Sequence, residues 1–418
     1  MSWPHKKLES LASGERYSFI GGPFGSKLTS RDYVEHGVPV IRGSNLNNGR
    51  YLDTTDFVFV AESKVREDLS SNLAKPLDII FTQRGTLGQV AIIPENGIFE
   101  NYVVSQSQMK LTVDEAKADR FFIYYYFSSS QVVERISNFT SSSGVPHINL
   151  TVLRNFEVPV PPLKTQKRIS SILSAYDDLI ENNRRRIQLL EQAARLLYKE
   201  WFVHLRFPGH EHTQIIDGVP EGWSILPIKK FVEGIYDGPH ATPPEADEGP
   251  IFLGIKSITK SGRLDLTSPR YITENDFPKW TRRVTPQAGD IVFSYEATLN
   301  LYALIPEGFR GCLGRRLALV RPIANSRTGL FIYFSFFEQR WRTVIEQNRL
   351  CGATVDRVPI AKFPDFPLLM PPRQLVTVFD EYVSPLMKQM ERFEQQNSLL
   401  AKARDLLLPK LMNGEVAV

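Results

Sequence analysis

Apolar residues recur through one stretch of the chain, Lys164 to Arg206, at alternating spacings of four and three. This period of 3.5 predicts a long helix with an a/d seam, not a strand or an ordinary surface helix. Two prolines at 161–162 precede it, where the first-turn N–H groups lack helical partners, and Pro208 and Gly209 end it. The seam positions are Ile169, Leu173, Tyr176, Ile180, Asn183, Ile187, Leu190, Ala194, Leu197 and Trp201.

The pattern returns 210 residues later, again after a pair of prolines, at 371–372. Each series gives a helix on the order of 60 Å at about 1.5 Å per residue, too long for one compact domain, so the two helices are predicted to pair. An antiparallel pair in which facing residue numbers sum to 580 uses every layer. It sets Asn183 opposite Asn397, where the amides can bond to each other, and places Arg404 beside Tyr176, snorkelling or stacking on its ring. The second series is Phe379, Val383, Leu386, Met390, Phe393, Asn397, Leu400, Arg404, Leu407 and Leu411.

Shorter segments also repeat. LDIIFTQRGTLGQVAIIPE (77–95) matches GDIVFSYEATLNLYALIPE (289–307) at an offset of 212, and both predict a strand, a polar turn and a strand. FFIYYYFSSSQVVERI (121–136) matches LFIYFSFFEQRWRTVI (330–345), and each predicts one helix. Its aromatic side chains have helical spacing without interleaved Lys or Arg, which favours core packing over stacking on bases.

These repeats predict an α+β chain built by internal duplication. Two α/β domains would be separated by two long helices that form an antiparallel coiled coil. The predicted divisions are a first domain at 1–160, a first helical region at 161–206, a connector with the second domain at 207–370, and a second helical region at 371–418.

Composition sets broad bounds on function. The 418 residues are 42% hydrophobic and 23% charged, as in ordinary globular proteins. Two cysteines cannot form a disulfide framework and indicate a reducing cytoplasm, and no apolar run reaches the ~18 residues of a membrane span. A net charge of +4 permits nucleic-acid binding without requiring it.

Catalytic motifs are missing from the sequence. It has no Asn-Pro-Pro-aromatic or Asp-Pro-Pro-aromatic tetrapeptide and no glycine-rich phosphate turn. The HEH triplet at 210–212 lies in the turn-rich connector, which favours a solvated linker over a metal site. A nuclease pattern of two carboxylates and a lysine is too short to exclude. We therefore expect no catalytic residue, bound metal or cofactor in this chain.

Two segments resemble a known family. A Pro-Pro pair followed by LKTQKRISSILSAYDDLIENNRRRIQLLEQAARLLYKEWF is similar to the first conserved region of type I restriction-modification specificity subunits. PPRQLVTVFDEYV through LLLPKLMNGEV resembles the second region, although Val-Thr-Val-Phe at 376–379 replaces the usual Gln-Lys-Arg-Ile.

The resemblance implies a non-catalytic, sequence-specific DNA-binding subunit. Each variable region would be a target recognition domain that reads one half of a split, asymmetric site in double-stranded DNA. The helices would hold the domains at a fixed distance. Two modification subunits would dock on this scaffold, carry S-adenosylmethionine and methylate adenine. Up to two motor-nuclease subunits, using ATP and Mg, would complete the enzyme.

The loops that differ between the two repeats supply the residue types that recognise the edges of DNA bases. Arginine pairs with guanine, Asn or Gln with adenine, and Glu with cytosine. The first-domain candidates are Lys27, Arg42, Asn45, Gln83, Arg84, Gln106, His147 and Asn149. The second-domain candidates are His240, Lys256, Tyr295, Glu296, Arg315, Arg316 and Arg357.

Two alternatives stay open at this stage. The chain could be a non-catalytic adaptor that binds proteins at two sites, which gel shifts on duplexes with candidate bipartite sites would distinguish from a DNA reader. The run Arg184–Arg186 could contact phosphate. However, three consecutive helical residues span roughly 200° of the helix surface, which favours a solvated face or a protein contact.

Overall fold

The computed structural model describes residues 3–46, 49–138, 147–352 and 355–418. The chain divides into two compact units. Unit 1 comprises Met1–Asn183 and Gln395–Val418, and unit 2 comprises Arg184–Glu394. Each unit therefore contains part of both long helices.

The strands of unit 1 form a four-stranded antiparallel sheet of order β2-β10-β7-β8, a sheet of order β3-β5-β4-β9-β6 with one parallel pair (β4 and β9), and the pair β1-β11. In the described residues these strands are β1 His5–Lys7, β2 Phe19–Gly21, β3 Tyr33–Val34, β4 Val38–Ile41, β5 Val58–Val60, β6 Leu73–Ala74, β7 Ile79–Thr82, β8 Val90–Ile92, β9 Tyr102–Val104, β10 Gln108–Leu111 and β11 Glu157–Pro159. The predicted strand, turn and strand over 77–95 correspond to β7 and β8.

Unit 2 repeats this arrangement with sheets of order β15-β21-β18-β19 and β17-β16-β20 and the pairs β14-β22 and β12-β13. Its described strands are β12 Ile215–Ile216, β13 Val219–Pro220, β14 Ser224–Pro227, β15 Val232–Asp237, β16 Ala246–Leu253, β17 Arg270–Tyr271, β18 Ile291–Ser294, β19 Tyr302–Leu304, β20 Gly311–Leu313, β21 Leu317–Pro322 and β22 Pro367–Met370. Here β18 and β19 are the strands predicted over 289–307.

Helices of the described residues cover the sheets and extend along the seam. They are α1 Glu62–Lys64, α2 Arg120–Ser128, α3 Ser130–Asn138, α4 Leu150–Arg154, α5 Leu163–Tyr198, α6 Phe277–Trp280, α7 Gly329–Ser335, α8 Gln339–Gln347 and α9 Arg373–Met412. A π-helical segment, Lys199–Val203, continues α5. None of these helices is long and apolar enough to cross a membrane.

The prediction of one helix over 121–136 and one over 330–345 is wrong, because each segment forms two helices. Ser129 has an extended backbone between α2 and α3, and its hydroxyl donates to Tyr126 O at 2.7 Å. Glu338 is likewise extended between α7 and α8. The break in each segment lets both short helices bury their aromatic and branched side chains in the core of their unit.

A buried aspartate closes the turn before the central strand of each unit. Lys75 N donates to Asp78 Oδ2 at 2.9 Å before β7, and Gln287 N donates to Asp290 Oδ2 at 2.8 Å before β18. Both turns include a left-handed residue, Leu77 in one and a glycine in the other. These matching hydrogen bonds show that the two turns have the same backbone.

The counter-charges of the two aspartates differ. Lys110 Nζ lies 3.1 Å from Asp78 Oδ2, and only 7% of the lysine side chain is exposed. Arg321 binds Asp290 through two nitrogens, at 2.8 and 2.7 Å, and 17% of its side chain is exposed. The ion pair of unit 1 is therefore the less exposed to solvent of the two.

In unit 1 the long helices pack with opposed sequence order. Ile169 and Leu173 of α5 lie in one buried cluster with Leu411 of α9. Toward the other end of this contact, Asn183 Nδ2 donates to Asn397 Oδ1 at 3.0 Å. This hydrogen bond confirms the antiparallel register with a sum of 580 at the asparagine layer.

Arg404 was predicted to lie beside Tyr176, snorkelling or stacking on its ring. Its guanidinium forms an ion pair with Asp177, the residue that follows Tyr176, and another with Asp405. Asp177 also accepts a hydrogen bond of 2.6 Å from the hydroxyl of Tyr125. A buried carboxylate attracts the guanidinium more strongly than an aromatic face does.

In unit 2 the helices pack in the same sense. Ile187 clusters with Met390 and Phe393, and the ring of Trp201 lies 6.1 Å from that of Phe379. Each of these seam side chains is buried. The helix pair is thus built into the core of unit 2 as well as that of unit 1.

Candidate nucleic-acid interface

Three segments of unit 1 meet at the end of β7. Gln83 N donates to Ser107 O at 2.7 Å, and Ile148 N donates to Gln83 O at 3.0 Å. Arg84 forms an isolated bridge with His147. These main-chain contacts bring three of the predicted readers, Gln83, Arg84 and His147, to one edge of the sheet.

Unit 2 builds the same junction at the end of β18. Tyr295 N donates to Arg316 O at 3.2 Å, and Val358 N donates to Tyr295 O at 2.8 Å. Glu296 forms an isolated bridge with Arg357. The backbone of the junction is therefore repeated, and Glu296, Arg316 and Arg357 are brought together.

The side chains at the two junctions differ in charge and pairing. Arg84 and His147 are exposed in unit 1, and Arg84 forms no side-chain hydrogen bond or ion pair with any residue that the structure describes. In unit 2, Arg316 Nε lies 3.3 Å from Glu296 Oε1, while Arg315 and Arg357 are exposed. One junction is cationic, and the other combines a carboxylate with arginines.

The turn that follows each central strand has two left-handed positions. They are Gly85 and Gly88 in unit 1, with φ of 93° and 84°. Unit 2 has Ala297 and Asn300 at the corresponding places, with φ of 70° and 62°. Alanine is strained in this region, so the shape of the turn is imposed on unit 2 by the packing around it.

The predictions that Asn45 and Tyr295 contact DNA bases are wrong, because the structure buries both side chains. Asn45 is fully buried, and its amide donates to Asp53 O and Asp56 O at 3.0 and 3.1 Å. Tyr295 is also buried and donates its hydroxyl to Arg315 O at 2.8 Å, and burial raises the pKa of Tyr295 to about 12. Neither side chain can reach a base edge.

Three further candidates have structural roles that occupy part of their polar surface. Asn149 Oδ1 caps α4 by accepting from Val152 N at 2.9 Å. The amide of Gln106 donates to Gly25 O and Leu28 O. Arg42 forms an ion pair of 3.2 Å with Asp56. These residues shape the interface more than they present free groups.

The remaining candidates lie on exposed loops. Lys27 and Lys256 are exposed, as is His240, whose Nε2 lies 3.1 Å from Asp237 Oδ2. Lys27 shares a loop with the acceptors of Gln106, so it lies near the unit 1 junction. The structure thus gathers some candidates at the junctions and leaves Lys256 on a separate loop.

Sequence reasoning missed one arginine in each unit that anchors a loop on the long helices. Arg50 forms an ion pair with Asp178 of α5. Arg263 lies 2.9 Å from Glu394 of α9 and 3.6 Å from Glu191 of α5. The signal was present, since a Gly-Arg step occurs in both NGRYLD and SGRLDL, at 48–53 and 261–266.

Comparisons with known proteins agree on one family. A family model described as the type I restriction modification DNA specificity domain matches residues 24–192. The chain is 23% identical to the type I restriction enzyme MjaIX specificity subunit of Methanocaldococcus jannaschii, across 100% of this chain and 94% of that protein. It is 22% identical to the HindI specificity subunit of Haemophilus influenzae, across 80% and 87%.

A solved structure has the same fold. The crystal structure of the type I restriction-modification S subunit from M. genitalium aligns with a TM-score of 0.55 at 15% identity. The alignment covers 98% of this chain and 96% of that one. The mixed arrangement of helices and strands described above is therefore one that an S subunit adopts.

Proposed function

The chain belongs to the type I restriction-modification specificity subunits, and on that premise we propose that each of its units reads one half of a split DNA site. The observation that carries the proposal is the repeated junction. The bridges Arg84–His147 and Glu296–Arg357 occur at the same place in the two units but present different side chains. A repeated backbone with different reading groups suits a site whose halves differ in sequence.

The side chains at the two junctions support a DNA target whose two halves differ in sequence. Unit 1 presents Gln83 and Arg84, which suit adenine and guanine edges. Unit 2 presents Glu296, which suits the amino group of cytosine, beside Arg316 and Arg357. An internal duplication with two recognition domains and a coiled-coil pair of helices accounts for both the repeated backbone and the different loops.

Each unit also carries one exposed leucine pair on a long helix. Leu189 and Leu196 of α5 in unit 2 are 58% and 60% exposed. Leu399 and Leu406 of α9 in unit 1 are 67% and 71% exposed. The pairs are related by the 210-residue offset, and each spans one heptad, so each makes a short apolar stripe.

These two stripes support a stoichiometry of two modification subunits, one on each pair. Helix stripes of this kind are covered by a partner helix in stable assemblies. In this proposal S-adenosylmethionine is held by the modification subunits, and ATP and Mg are held by up to two motor-nuclease subunits. In the same proposal, this chain recognises the DNA and holds the other subunits, and it catalyses no reaction itself.

We expect that the chain together with its modification subunit and S-adenosylmethionine methylates adenine at a specific split sequence. Replacing both Leu189 and Leu196 by Glu should remove one modification subunit in native mass spectrometry, because a charged side chain cannot be buried in an apolar contact. Replacing both Leu399 and Leu406 by Glu should remove the other, and combining the changes should abolish methylation.

The control is Leu179, which is 51% exposed on α5 but has glutamine 210 residues later. Leu179→Glu should leave the complex and its methylation intact. Transfer of labelled methyl groups by the chain alone would contradict the non-catalytic role. A wild-type complex with a single modification subunit would contradict the proposed stoichiometry.

A further inference from the structure

Phe24 has the most exposed large apolar side chain in the described part of the chain, at 84%. It lies at the tip of the loop that leaves β2, between Pro23 and Gly25. Leaving a phenylalanine in water forgoes the stabilisation that burial of its ring contributes. Phe24 therefore adds little to the stability of unit 1 from this position.

The loop is held firmly, so the exposure of Phe24 is not a product of a loose chain. Gly22 N donates to Gln108 O at 2.9 Å, and a Cβ on Gly22 would lie 1.9 Å from Ser105 O. The amide of Gln106 binds the carbonyls of Gly25 and Leu28 on the far side of the tip. These contacts fix the loop on both sides of Phe24 and leave its ring outside.

The tip borders the junction of unit 1. A Cβ on Gly21 would lie 3.6 Å from Gln83 Oε1. Ser107, which accepts from Gln83 N, belongs to the same turn as Gln106. Phe24 therefore shares one edge of the unit with Gln83, Arg84 and the exposed Lys27.

Unit 2 builds the same tip with a polar residue. Gly238 N donates to Leu317 O at 2.9 Å, and a Cβ on Gly238 would lie 2.3 Å from Gly314 O. After Gly238 and a proline comes His240, which pairs with Asp237. The repeated loop thus ends in an aromatic hydrocarbon in one unit and in a polar pair, His240 and Asp237, in the other.

We propose that Phe24 is a specificity-determining residue that contacts the 5-methyl group of a thymine in the half-site read by unit 1. The inference rests on the proposed function. The thymine methyl is the apolar group that base pairs present in the major groove, and apolar side chains read it by contact. His240 replaces this apolar contact with a polar one in the half-site read by unit 2.

The test uses the full chain in complex with its modification subunit, on duplexes that carry the mapped methylation motif. Each thymine of the unit 1 half-site is replaced in turn by uracil, which removes only the methyl group. Such a thymine is present, because a half-site with a methylatable adenine has thymine on the opposite strand. For the wild-type complex we expect one uracil to weaken binding about four-fold, the equivalent of one buried methyl group.

In Phe24→Ala the same uracil substitution should have no effect, whereas Phe24→Leu should retain part of it. His240→Ala is the matched control from the equivalent tip and should keep the full uracil effect in the unit 1 half-site. Because Phe24 is exposed, the alanine variant should keep the thermal stability of the wild type.

A uracil effect that persists in Phe24→Ala, or a wild-type complex insensitive to uracil throughout this half-site, would overturn the inference. So would loss of the modification subunit from the Phe24→Ala complex, since that would assign Phe24 to a protein contact. Failure of the proposed function looks different, because the wild-type complex would then bind all duplexes with equal affinity.

Discussion

Replacing Asp78 with alanine should destabilise unit 1 by about 3–5 kcal/mol, because it leaves the ammonium group of Lys110 buried without a counter-charge. The two groups lie 3.1 Å apart, and almost none of either side chain is exposed. The substitution also removes the acceptor for Lys75 N, which closes the turn before β7. Hydrogen exchange of β7 and β10 in the full chain measures the loss, since separate units need not unfold together.

The repeat provides the control for this experiment. Asp290→Ala should lower protection only in unit 2, and by less, because Arg321 is more exposed than Lys110 and can recover hydration. Adding Lys110→Met to Asp78→Ala should restore part of the stability, since it removes the unpaired charge. A double variant no more stable than Asp78→Ala would show that the buried charge is not the cause.

Replacing Arg84 with alanine should weaken binding at one base pair of the unit 1 half-site by about 5- to 150-fold, the loss of one bidentate contact of about 1–3 kcal/mol. The fold should tolerate the change, because Arg84 is exposed and its guanidinium has no side-chain partner among the described residues. Methylation rates on duplexes with single altered base pairs would locate the effect within the site.

Arg357→Ala is the arginine variant of unit 2; Arg357 occupies the place of His147 and bridges Glu296, the counterpart of Arg84. It should change base preference only in the second half-site. If either variant altered both half-sites equally, the assignment of one unit to each half-site would be wrong. A uniform loss over all sequences with a weaker salt dependence would instead identify a phosphate contact.

Periodicity and repetition in the sequence were enough to predict the long helices and their pairing. The a/d spacing placed the seam residues, and the two asparagines selected one register among the possible ones because a lone buried amide is costly. The strands β7, β8, β18 and β19 followed from two aligned segments with the same alternation. These predictions depended on spacing, which the chain displays directly.

The reader residues were harder to predict, because a polar side chain in a loop serves a base or the fold equally well. Asn45 and Tyr295 carry suitable groups, but their hydrogen bonds go to carbonyls of their own unit. The left-handed backbone conformation of Ala297 could not be inferred from its residue type. Its conformation became expected only by comparison with Gly85, its counterpart in the first repeat.

The amide pair between Asn183 and Asn397 also bears on self-association. If the first helix paired with a second copy of itself in the same geometry, the 210-residue offset would reduce the constant sum to 370 and set Asn183 opposite Ile187. Each such dimer would bury two amides against isoleucines, at about 1–3 kcal/mol for each unsatisfied group. Analytical ultracentrifugation of the first half of the chain should therefore show more dimer for Asn183→Leu than for the natural sequence. This one hydrogen bond therefore favours pairing of the first long helix with the second over pairing of two copies of the first.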